Sequence, residues 1–233
     1  MQHSSKTALM VYAICPKIQA GKKAVFGKAH FRKSLELFAR LQENTEEIAA
    51  QSGLPTFWIF DHEQEGKTFG ERYAKAFDSL FKEGFDQVIS IGNDIPGLDS
   101  SHILRAKEEF LNSETILGPA EDGGNYLIAL SRKGFDKNSF ADLPWNSDSL
   151  HHALKSWSCA KNDHVSQLEY LIDIDDFDSL ARFKEYSEST DFTQFILQLI
   201  RSILAYSQAK KTFFKEVFIS KDNPLRAPPA FLS

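Results

Sequence analysis

Polar, mostly acidic side chains directly follow short apolar stretches at three places in this 233-residue chain. They are Asn93 and Asp94 after VISIG, Glu121 and Asp122 after TILGPA, and Asp173, Asp175 and Asp176 after LEYLI. Carboxylates grouped in this way repel one another, and their burial is costly without a counter-ion. Oxygen ligands suit Mg²⁺ or Mn²⁺, which often use one or two carboxylates and complete their shell with substrate phosphates. The pattern predicts a divalent-cation site for a pyrophosphate-bearing substrate, although Asp, Asn and Gly are also ordinary turn residues and Asp94 could simply cap the turn after it.

The elements that must position these side chains alternate between strands and helices. Continuous apolar runs predict strands covered on both faces at residues 7–14, 56–60, 86–92, 115–119, 125–130 and 168–175. Apolar residues at helical spacing predict helices over 31–51, 69–81 and 100–111, a short helix that Asp148 could cap, and a helix that begins at about Phe177. The segment CPKIQAGKK (15–23) is predicted as a loop because it contains Pro16 and Gly21.

This alternation predicts an α/β fold. Strands that alternate with helices of this length pair in parallel through right-handed crossovers, which gives a three-layer α/β/α sandwich with a mostly parallel, mixed sheet. In an open sheet of this kind, ligands bind outside the carboxyl ends of the strands. The three polar groups should therefore lie on one rim of the sheet.

Composition limits the classes of function that are open. The formal net charge is −5, which argues against a nucleic-acid-binding protein because such proteins present a basic surface. The two cysteines, Cys15 and Cys159, stand in no metal or redox spacing, so a disulfide framework is not expected. The N-terminal apolar run is too short for a signal peptide, and no stretch approaches the ~18 consecutive apolar residues of a membrane span. With 42% apolar residues and 20 Phe, we expect a globular, cytoplasmic protein.

Five segments occur in the order found in one bacterial family. They are QEGKTFGER (64–72), GNDIPGL (92–98), GPAEDGGNYLIAL (118–130), WNS (145–147) and DIDDFDSL (173–180). Together, over about residues 7–183, they resemble the glycosyltransferase-A-like proteins called selenodomain-associated transferases, which are candidate nucleotide-diphospho-sugar transferases. The resemblance implies a glycosyltransferase-A-like fold. It also implies Mg²⁺- or Mn²⁺-dependent transfer of a sugar from a nucleotide-diphospho-sugar donor to an unknown small-molecule or lipid-linked acceptor.

The resemblance also assigns roles to the carboxylates. Asp94 matches the metal-binding residue that positions the donor diphosphate, where a cation neutralises charge on the leaving group. Asp173 belongs to the late acidic pair, which either completes the metal site or caps the next helix, and capping is favoured for Asp175 and Asp176. Asp122 matches the acceptor-side loop and either binds sugar hydroxyls or acts as a general base.

Other matched positions are predicted to contact the nucleotide or the sugar. They are Lys17, Lys22, Lys23, Arg72, Asn93, Gly123, Gly124 and Trp145. The two glycines allow the backbone to approach a sugar, Asn93 could add a neutral oxygen ligand, and Arg72 could hold a phosphate with its planar fork. Two of these positions have a plainer alternative: Arg72 could form a salt bridge on an exposed helix face, and Trp145 could be a core residue instead of a platform for a sugar ring.

The loop after the first strand departs from the family pattern. Family members carry K-x-P-x-x-G-x-x-K-T-R-L there, whereas this chain has CPKIQAGKKAVFGKAHF and lacks the K-T-R-L segment. Lysine supplies a point charge but not the planar fork of arginine, so phosphate binding could be weaker or the donor different. The family's Tyr-Tyr has also become Asn125-Tyr126. Two alternatives therefore stay open: a nucleotidyltransferase related to guanylyl- and cytidylyltransferases, and a catalytically silent nucleotide-binding module.

The C-terminal part of the chain differs in character from the rest. Residues 1–189 are predicted to form the nucleotide-diphospho-sugar transferase-like domain, and residues 190–233 a helical extension with a Pro-containing tail. We predict that the apolar helix of this extension packs on the domain or on a second copy of the chain, which would make a homodimer. The alternative is attachment to an anionic membrane surface, because the following segment is basic and amphipathic.

Overall fold

The computed structural model describes residues 5–161, 163–186 and 191–219, and the chain divides into two compact units, residues 1–187 and 188–233. The strands, all in the first unit, are β1 (Thr7–Ala13), β2 (Thr56–Phe60), β3 (Gln87–Ile91), β4 (Thr115–Pro119), β5 (Asn125–Ser131) and β6 (Val165–Gln167). Its helices are α1 (Pro16–Lys22), α2 (Phe31–Ser52), α3 (Phe69–Lys82), α4 (Ser100–Glu109), α5 (Lys137–Ala141), α6 (Leu150–Cys159) and α7 (Phe177–Tyr186). A single 3-10 turn, Lys28–His30, precedes α2, and the second unit contains α8 (Asp191–Ile219).

The six described strands form one sheet in the order β2-β1-β3-β5-β4-β6. β1 pairs in parallel with β2 and β3, and β4 pairs in parallel with β6. β5 runs antiparallel to both of its neighbours, β3 and β4. The predicted mostly parallel, mixed sheet is confirmed, and the carboxyl ends of five strands lie at one edge.

Two cores cover the two faces of the sheet, because successive side chains of a strand point to opposite sides. One core joins β1, β3, β4 and β5 to α2 and α4, and the other joins the opposite face to α3, α5 and α6. In β1, Leu9 and Val11 enter the first core, and Ala8 and Met10 enter the second. The predicted three-layer sandwich is therefore confirmed. β2 is only half-buried, against the expectation of a fully covered strand, because it lies at the edge of the sheet.

Local signals set the ends of the helices. α2 is stopped by Gly53, which adopts a left-handed φ of 65°. α3 begins with a capping box in which Thr68 and Glu71 each accept the other's backbone N–H through a side-chain oxygen. α4 is capped by Asp99, whose carboxylate accepts the N–H of Ser101. The negative charge of this cap also interacts favourably with the positive end of the helix dipole.

The segment after β1 forms helix α1, where the sequence predicts a loop. Pro16 lies in the first turn, where a missing N–H costs nothing and a fixed φ favours the helix. The N–H of Gln19 donates to the carbonyl of Cys15 (3.0 Å), and Gln19 is 1% exposed. Burial of this face against α2 stabilises the helix and places Lys22 and Lys23 near the edge of the sheet.

The predicted strand over residues 168–175 is wrong for most of its length. β6 lies earlier, and beyond it Leu171 forms an isolated bridge with Ala120. The chain then leaves the sheet, and the N–H of Ile174 donates to the carbonyl of Asp94 (3.4 Å). This path carries the late acidic residues over the ends of the strands.

Two short helices follow β5. Helix α5 was not predicted from the sequence. It is capped by Asp136, whose carboxylate accepts the N–H of Ser139 (2.9 Å). At the start of α6, the N-cap position belongs to Ser149, so Asp148 is not the cap that the sequence suggests.

The second unit is described through helix α8. Phe192, Ile196 and Leu199 are buried, whereas Leu204 is 51% exposed. Residues 220–233, which hold the predicted Pro-containing tail, lie outside the described residues. Packing of the extension on the domain or on a second chain therefore stays a prediction. Among the described helices, none is long and apolar enough to cross a membrane.

Candidate active site

A cleft of about 930 Å³ lies at the carboxyl edge of the sheet. Its walls include Tyr12 of β1, Asp94 after β3, Asp122 in the β4–β5 loop and Asp173 after β6. The three carboxylates come from separate segments, and the parallel arrangement of the strands brings those segments to one place. The sequence-based expectation that the acidic groups share a rim is met by these residues.

Three carboxylates are grouped at the cleft, and two of them, Asp122 and Asp173, line it. One oxygen each from Asp122, Asp173 and Asp175 lies within 4.8 Å of the other two. Burial, together with the charges of Asp122 and Asp175, raises the pKa of Asp173 to about 7. We call these residues the acidic trio. With a pKa near neutrality, Asp173 is only partly ionised at pH 7.

Lys23 places an ammonium group between the trio and Asp94. Its Nζ lies 2.7 Å from Asp94 Oδ2, 2.6 Å from Asp175 Oδ1 and 3.2 Å from the carbonyl oxygen of Ile174. Burial acts to lower the pKa of Lys23, but the two carboxylates outweigh it and the pKa is raised. Lys23 is therefore a fixed positive charge inside the site.

Asp94 is held by two side chains of the β1–α1 region. Besides Lys23, the Nε2 of Gln19 donates to Asp94 Oδ2 at 3.0 Å. The sequence analysis pairs Asp94 with Asp173 as metal ligands. In the structure both line the cleft, but Asp173 is grouped with Asp122 and Asp175, while Asp94 contacts Lys23 and Gln19.

Asn93 has a different position from the one its sequence suggests. It is 2% exposed and does not line the cleft. Its Oδ1 accepts the N–H of Ile14 (3.3 Å), and its Nδ2 donates to the carbonyl of Ile14 (3.1 Å). Both ends of the amide are thus used to join the end of β3 to the end of β1, so Asn93 is not available as an oxygen ligand.

The β4–β5 loop orients Asp122 through its two glycines. The N–H of Gly124 donates to Asp122 Oδ1 at 2.8 Å. Gly123 has a φ of +90°, and a Cβ there would lie 2.1 Å from the carbonyl oxygen of Asp148. The carbonyl of Gly123 accepts the N–H of His151 (3.0 Å), which fixes the loop to the start of α6. Gly124 lines the cleft, whereas Gly123 supports the loop from behind.

The predicted basic residues divide into two sets. Lys22 and Arg72 line the cleft. Lys17, exposed on α1, and Lys23, partly buried in its ion pairs with Asp94 and Asp175, do not line it. The salt bridge proposed as an alternative for Arg72 is not observed among the described residues. Arg72 instead lies beside Tyr12, whose pKa burial raises to about 12 although the guanidinium acts to lower it.

Trp145 is both a core residue and part of the cleft wall. Its ring lies 4.9 Å from that of Phe140 and 5.3 Å from that of Tyr73, measured between centroids. Its Nε1 donates to the carbonyl of Phe140 (3.0 Å). A Cβ on Gly70 would lie 2.5 Å from the indole, so the glycine admits the ring. The two roles weighed from the sequence are compatible.

The two aspartates predicted to cap α7 have different contacts. Asp176 caps the helix as predicted, with the N–H of Ser179 donating to its Oδ1 (2.8 Å), but Asp175 contacts Lys23 instead of capping.

Two further residues of the cleft were not predicted from the sequence. Asn125 lines the cleft with its Oδ1 2.8 Å from His151 Nδ1 and its Nδ2 buried without a hydrogen-bond partner in the described structure. Asp61 also lines the cleft, and its position directly after β2 was a usable signal.

Residues 29–147 match the model of a family described as uncharacterized protein conserved in bacteria, DUF2064. The match covers just over half of the chain and includes Asp94 and the β4–β5 loop. The chain belongs to the DUF2064 family. The description of the DUF2064 family names no reaction, and no curated protein matches the sequence of this chain.

Solved structures establish the fold of this DUF2064 chain. A candidate nucleotide-diphospho-sugar transferase from Desulfovibrio desulfuricans G20 is 20% identical, with a TM-score of 0.76 over 87% of this chain and 98% of that chain. A cytidylyltransferase from Leptospira borgpetersenii is 15% identical, with a TM-score of 0.38 over 88% and 96% of the two chains. A manganese complex of Rv0371c from Mycobacterium tuberculosis H37Rv is 13% identical, with a TM-score of 0.40 over 78% and 100%. The first shows the nucleotide-diphospho-sugar transferase fold, and the other two are too distant to support an argument.

Proposed function

We propose that this protein is a metal-dependent glycosyltransferase that moves a sugar from a nucleotide-diphospho-sugar donor to an acceptor of unknown identity. The observation that carries the proposal is the grouping of Asp122 and Asp173, which line the cleft at the carboxyl edge of the sheet, with the neighbouring Asp175. A cleft of about 930 Å³ has the size of a site for a ligand as large as a nucleotide sugar. The fold shared with a candidate nucleotide-diphospho-sugar transferase supports the same class of substrate.

A divalent cation fits the acidic trio on chemical grounds. All three donors are carboxylate oxygens, which Mg²⁺ and Mn²⁺ prefer. Burial, followed by the charges of Asp122 and Asp175, raises the pKa of Asp173, and a divalent cation would offset the repulsion between these carboxylates. Bound there, the ion would stabilise the charge that develops on the leaving nucleoside diphosphate.

The basic residues of the cleft would bind the donor phosphates. Lys23 is held in place by Asp94 and Asp175, so its charge is positioned before the donor arrives. Lys22 and Arg72 line the cleft and can reach out to phosphate oxygens, Arg72 with two parallel N–H groups. Asp94 acts in this proposal by fixing Lys23.

The β4–β5 loop would face the sugar and the acceptor. Gly124 leaves the backbone open to a sugar ring, and Trp145 offers an aromatic wall on the same cleft. A carboxylate that binds a cation is a weaker proton acceptor, so Asp122 cannot serve both as a cation ligand and as the general base suggested by the sequence. We assign Asp122 to the cation, because its oxygens lie with those of Asp173 and Asp175.

The experiment is a calorimetric titration of nucleoside diphosphates, nucleoside triphosphates and nucleotide sugars with and without Mn²⁺. We expect a nucleotide sugar to bind only with Mn²⁺, and we expect Asp173→Asn and Asp122→Asn to weaken both Mn²⁺ and donor binding. Asp142→Asn is the matched control, since Asp142 is exposed and outside the cleft.

Three other outcomes would contradict the proposal. Preference for a triphosphate with release of pyrophosphate would identify a nucleotidyltransferase. Nucleotide binding without donor hydrolysis would identify a silent binding module. Unchanged Mn²⁺ affinity in Asp122→Asn, with turnover lost, would return Asp122 to the role of general base.

A further inference from the structure

A second group of metal-ligand side chains lies at the same edge of the sheet. Cys15 follows β1, and Asp61 and His62 follow β2. The two strands are parallel neighbours with Ala13 opposite Phe60, so the residues after their ends meet. One ligand atom each from Cys15, Asp61 and His62 lies within 4.8 Å of the other two.

These three side chains offer a different chemistry from the acidic trio. A thiolate sulfur, an imidazole nitrogen and one carboxylate oxygen form a donor set that suits Zn²⁺, whereas the all-oxygen trio suits Mg²⁺ or Mn²⁺. We propose that Cys15, Asp61 and His62 form a second metal site that binds Zn²⁺ through three protein ligands, with the fourth position open to solvent or to a substrate oxygen. On binding, the metal–sulfur bond replaces the S–H bond and the thiol proton passes to solvent, with no change of oxidation state.

The two ligand segments are already joined without a cation. The backbone N–H of Cys15 donates to Asp61 Oδ1 at 2.8 Å. The ring of His62 stacks on that of Phe60, with centroids 6.1 Å apart and an angle of 14° between planes. A cation would therefore close a site whose backbone is largely positioned, which reduces the entropic cost of binding.

The burial of the group leaves it accessible to an ion. Cys15 and Asp61 are partly buried, and His62 is exposed. Asp61 also lines the cleft, as does Ile14 beside Cys15, so the bound cation would lie at the cleft wall. None of its three ligands belongs to the acidic trio, so the inference does not depend on the proposed function.

The test is a Co²⁺ titration of the reduced, full-length protein, because Co²⁺ reports a thiolate ligand through a near-ultraviolet charge-transfer band. The chain has only two cysteines, and Cys159 is exposed at the end of α6, which makes Cys159→Ser a matched control. We expect the wild type and Cys159→Ser to develop the band up to one equivalent of Co²⁺ and to lose it on addition of Zn²⁺. Cys15→Ser should give no band.

His62→Asn tests the nitrogen ligand, with His152→Asn, an exposed residue of α6, as its control. His62→Asn should weaken Co²⁺ binding at least about tenfold, since loss of a side chain that merely orients a metal ligand commonly costs that much. Protection of Cys15 by Zn²⁺ against alkylation, read by mass spectrometry of the peptides, gives an independent measure. A band that is absent from the folded wild type, that persists in Cys15→Ser, or that disappears in Cys159→Ser would overturn the proposal. Oxygen ligation by the acidic trio gives no thiolate band, so failure of either site is seen separately.

Discussion

At the scale of single residues, charge balance decides what the cleft can hold. Asp94, Asp122 and Asp173 line the cleft, Asp175 lies beside them, and Lys23 forms ion pairs with Asp94 and Asp175. An ammonium satisfies two of these groups and leaves the pKa of Asp173 raised. Under the proposed function, a divalent cation would supply the further positive charge that offsets this repulsion.

Substitution of Lys23 should reveal how much the ammonium group contributes to the stability of the fold. We expect Lys23→Met to lower the free energy of unfolding by roughly 1–2 kcal/mol, less than the ~3–5 kcal/mol of breaking a fully buried pair, because the Lys23 side chain is 23% exposed. We also expect Mn²⁺ to stabilise Lys23→Met more than the wild type, because the variant lacks its own counter-ion. Urea unfolding with Mn²⁺ or with EDTA measures both effects.

Lys22→Met is the control for this change, since Lys22 is exposed one position earlier and no ion pair is observed for it within the described chain. Equal losses of stability in Lys22→Met and Lys23→Met would show that the ion pairs of Lys23 contribute nothing specific.

At the scale of elements, the β4–β5 loop depends on one backbone conformation. Gly123 combines a φ of +90° with a close approach to the carbonyl of Asp148. Gly84, after α3, has a φ of +99° and no atom near the position that a Cβ would take. A substitution at Gly84 therefore measures the cost of the backbone conformation without a steric clash. We expect Gly84→Ala to cost about 1–2 kcal/mol and Gly123→Ala clearly more, measured by urea unfolding. A similar cost for both variants would mean that the Asp148 segment moves away freely.

The open end of the β4–β5 pair is held by Glu114. Its carboxylate accepts hydrogen bonds from the hydroxyl of Ser131 and from Nζ of Lys133 (2.9 Å). The hydrogen bond from Ser131, followed by the interaction with Lys133, lowers the pKa of Glu114. Because the pKa of Glu114 is lower in the folded state, the ionised carboxylate stabilises the fold at pH values above its ordinary pKa near 4. This stabilisation is lost as the pH falls through the lowered pKa. We expect Glu114→Gln to be less stable than the wild type by about 1 kcal/mol at pH 7 and nearly equal to it at pH 2–3.

Chemical unfolding across this pH range measures the difference, with Glu108→Gln, an exposed residue of α4, as the control. A gap between the wild type and Glu114→Gln that stays constant down to pH 2 would contradict the role of the ionised carboxylate.

The elements also show what a single sequence can and cannot predict. Strands β1, β3, β4 and β5 were predictable because continuous apolar runs require cover on both faces, and Asp94 and Asp122 were predictable because they follow such runs. Helix α1 was missed because its stability comes from burial of Gln19 against other elements, which local sequence does not record. The segment after β6 was predicted as a strand because it is apolar, but it makes only an isolated bridge at Leu171 and then crosses the edge of the sheet.

At the scale of the whole molecule, net charge and site charge act together. The chain carries a formal charge of −5, and a donor diphosphate is also an anion, so binding without a cation would be opposed by the field of the protein. We expect free Mn²⁺ at one hundred times its Kd to stabilise the folded protein by about 2.7 kcal/mol, or roughly 5–10 °C in Tm. Asp173→Asn should lose most of this gain, and Asp142→Asn should keep it.

Thermal unfolding with Mn²⁺ and with EDTA provides the measurement. A rise in Tm that is equal in Asp173→Asn and the wild type would place the Mn²⁺ site elsewhere in the chain.

The position of Lys23 has a consequence for the order of events in the cell. A protein whose acidic cavity depended on metal for assembly would misfold whenever the ion was scarce. Here a lysine supplied by the chain itself already offsets part of the repulsion. If the proposed function holds, folding would then not require a divalent ion, and magnesium or manganese could enter and leave with each donor molecule instead of staying permanently bound.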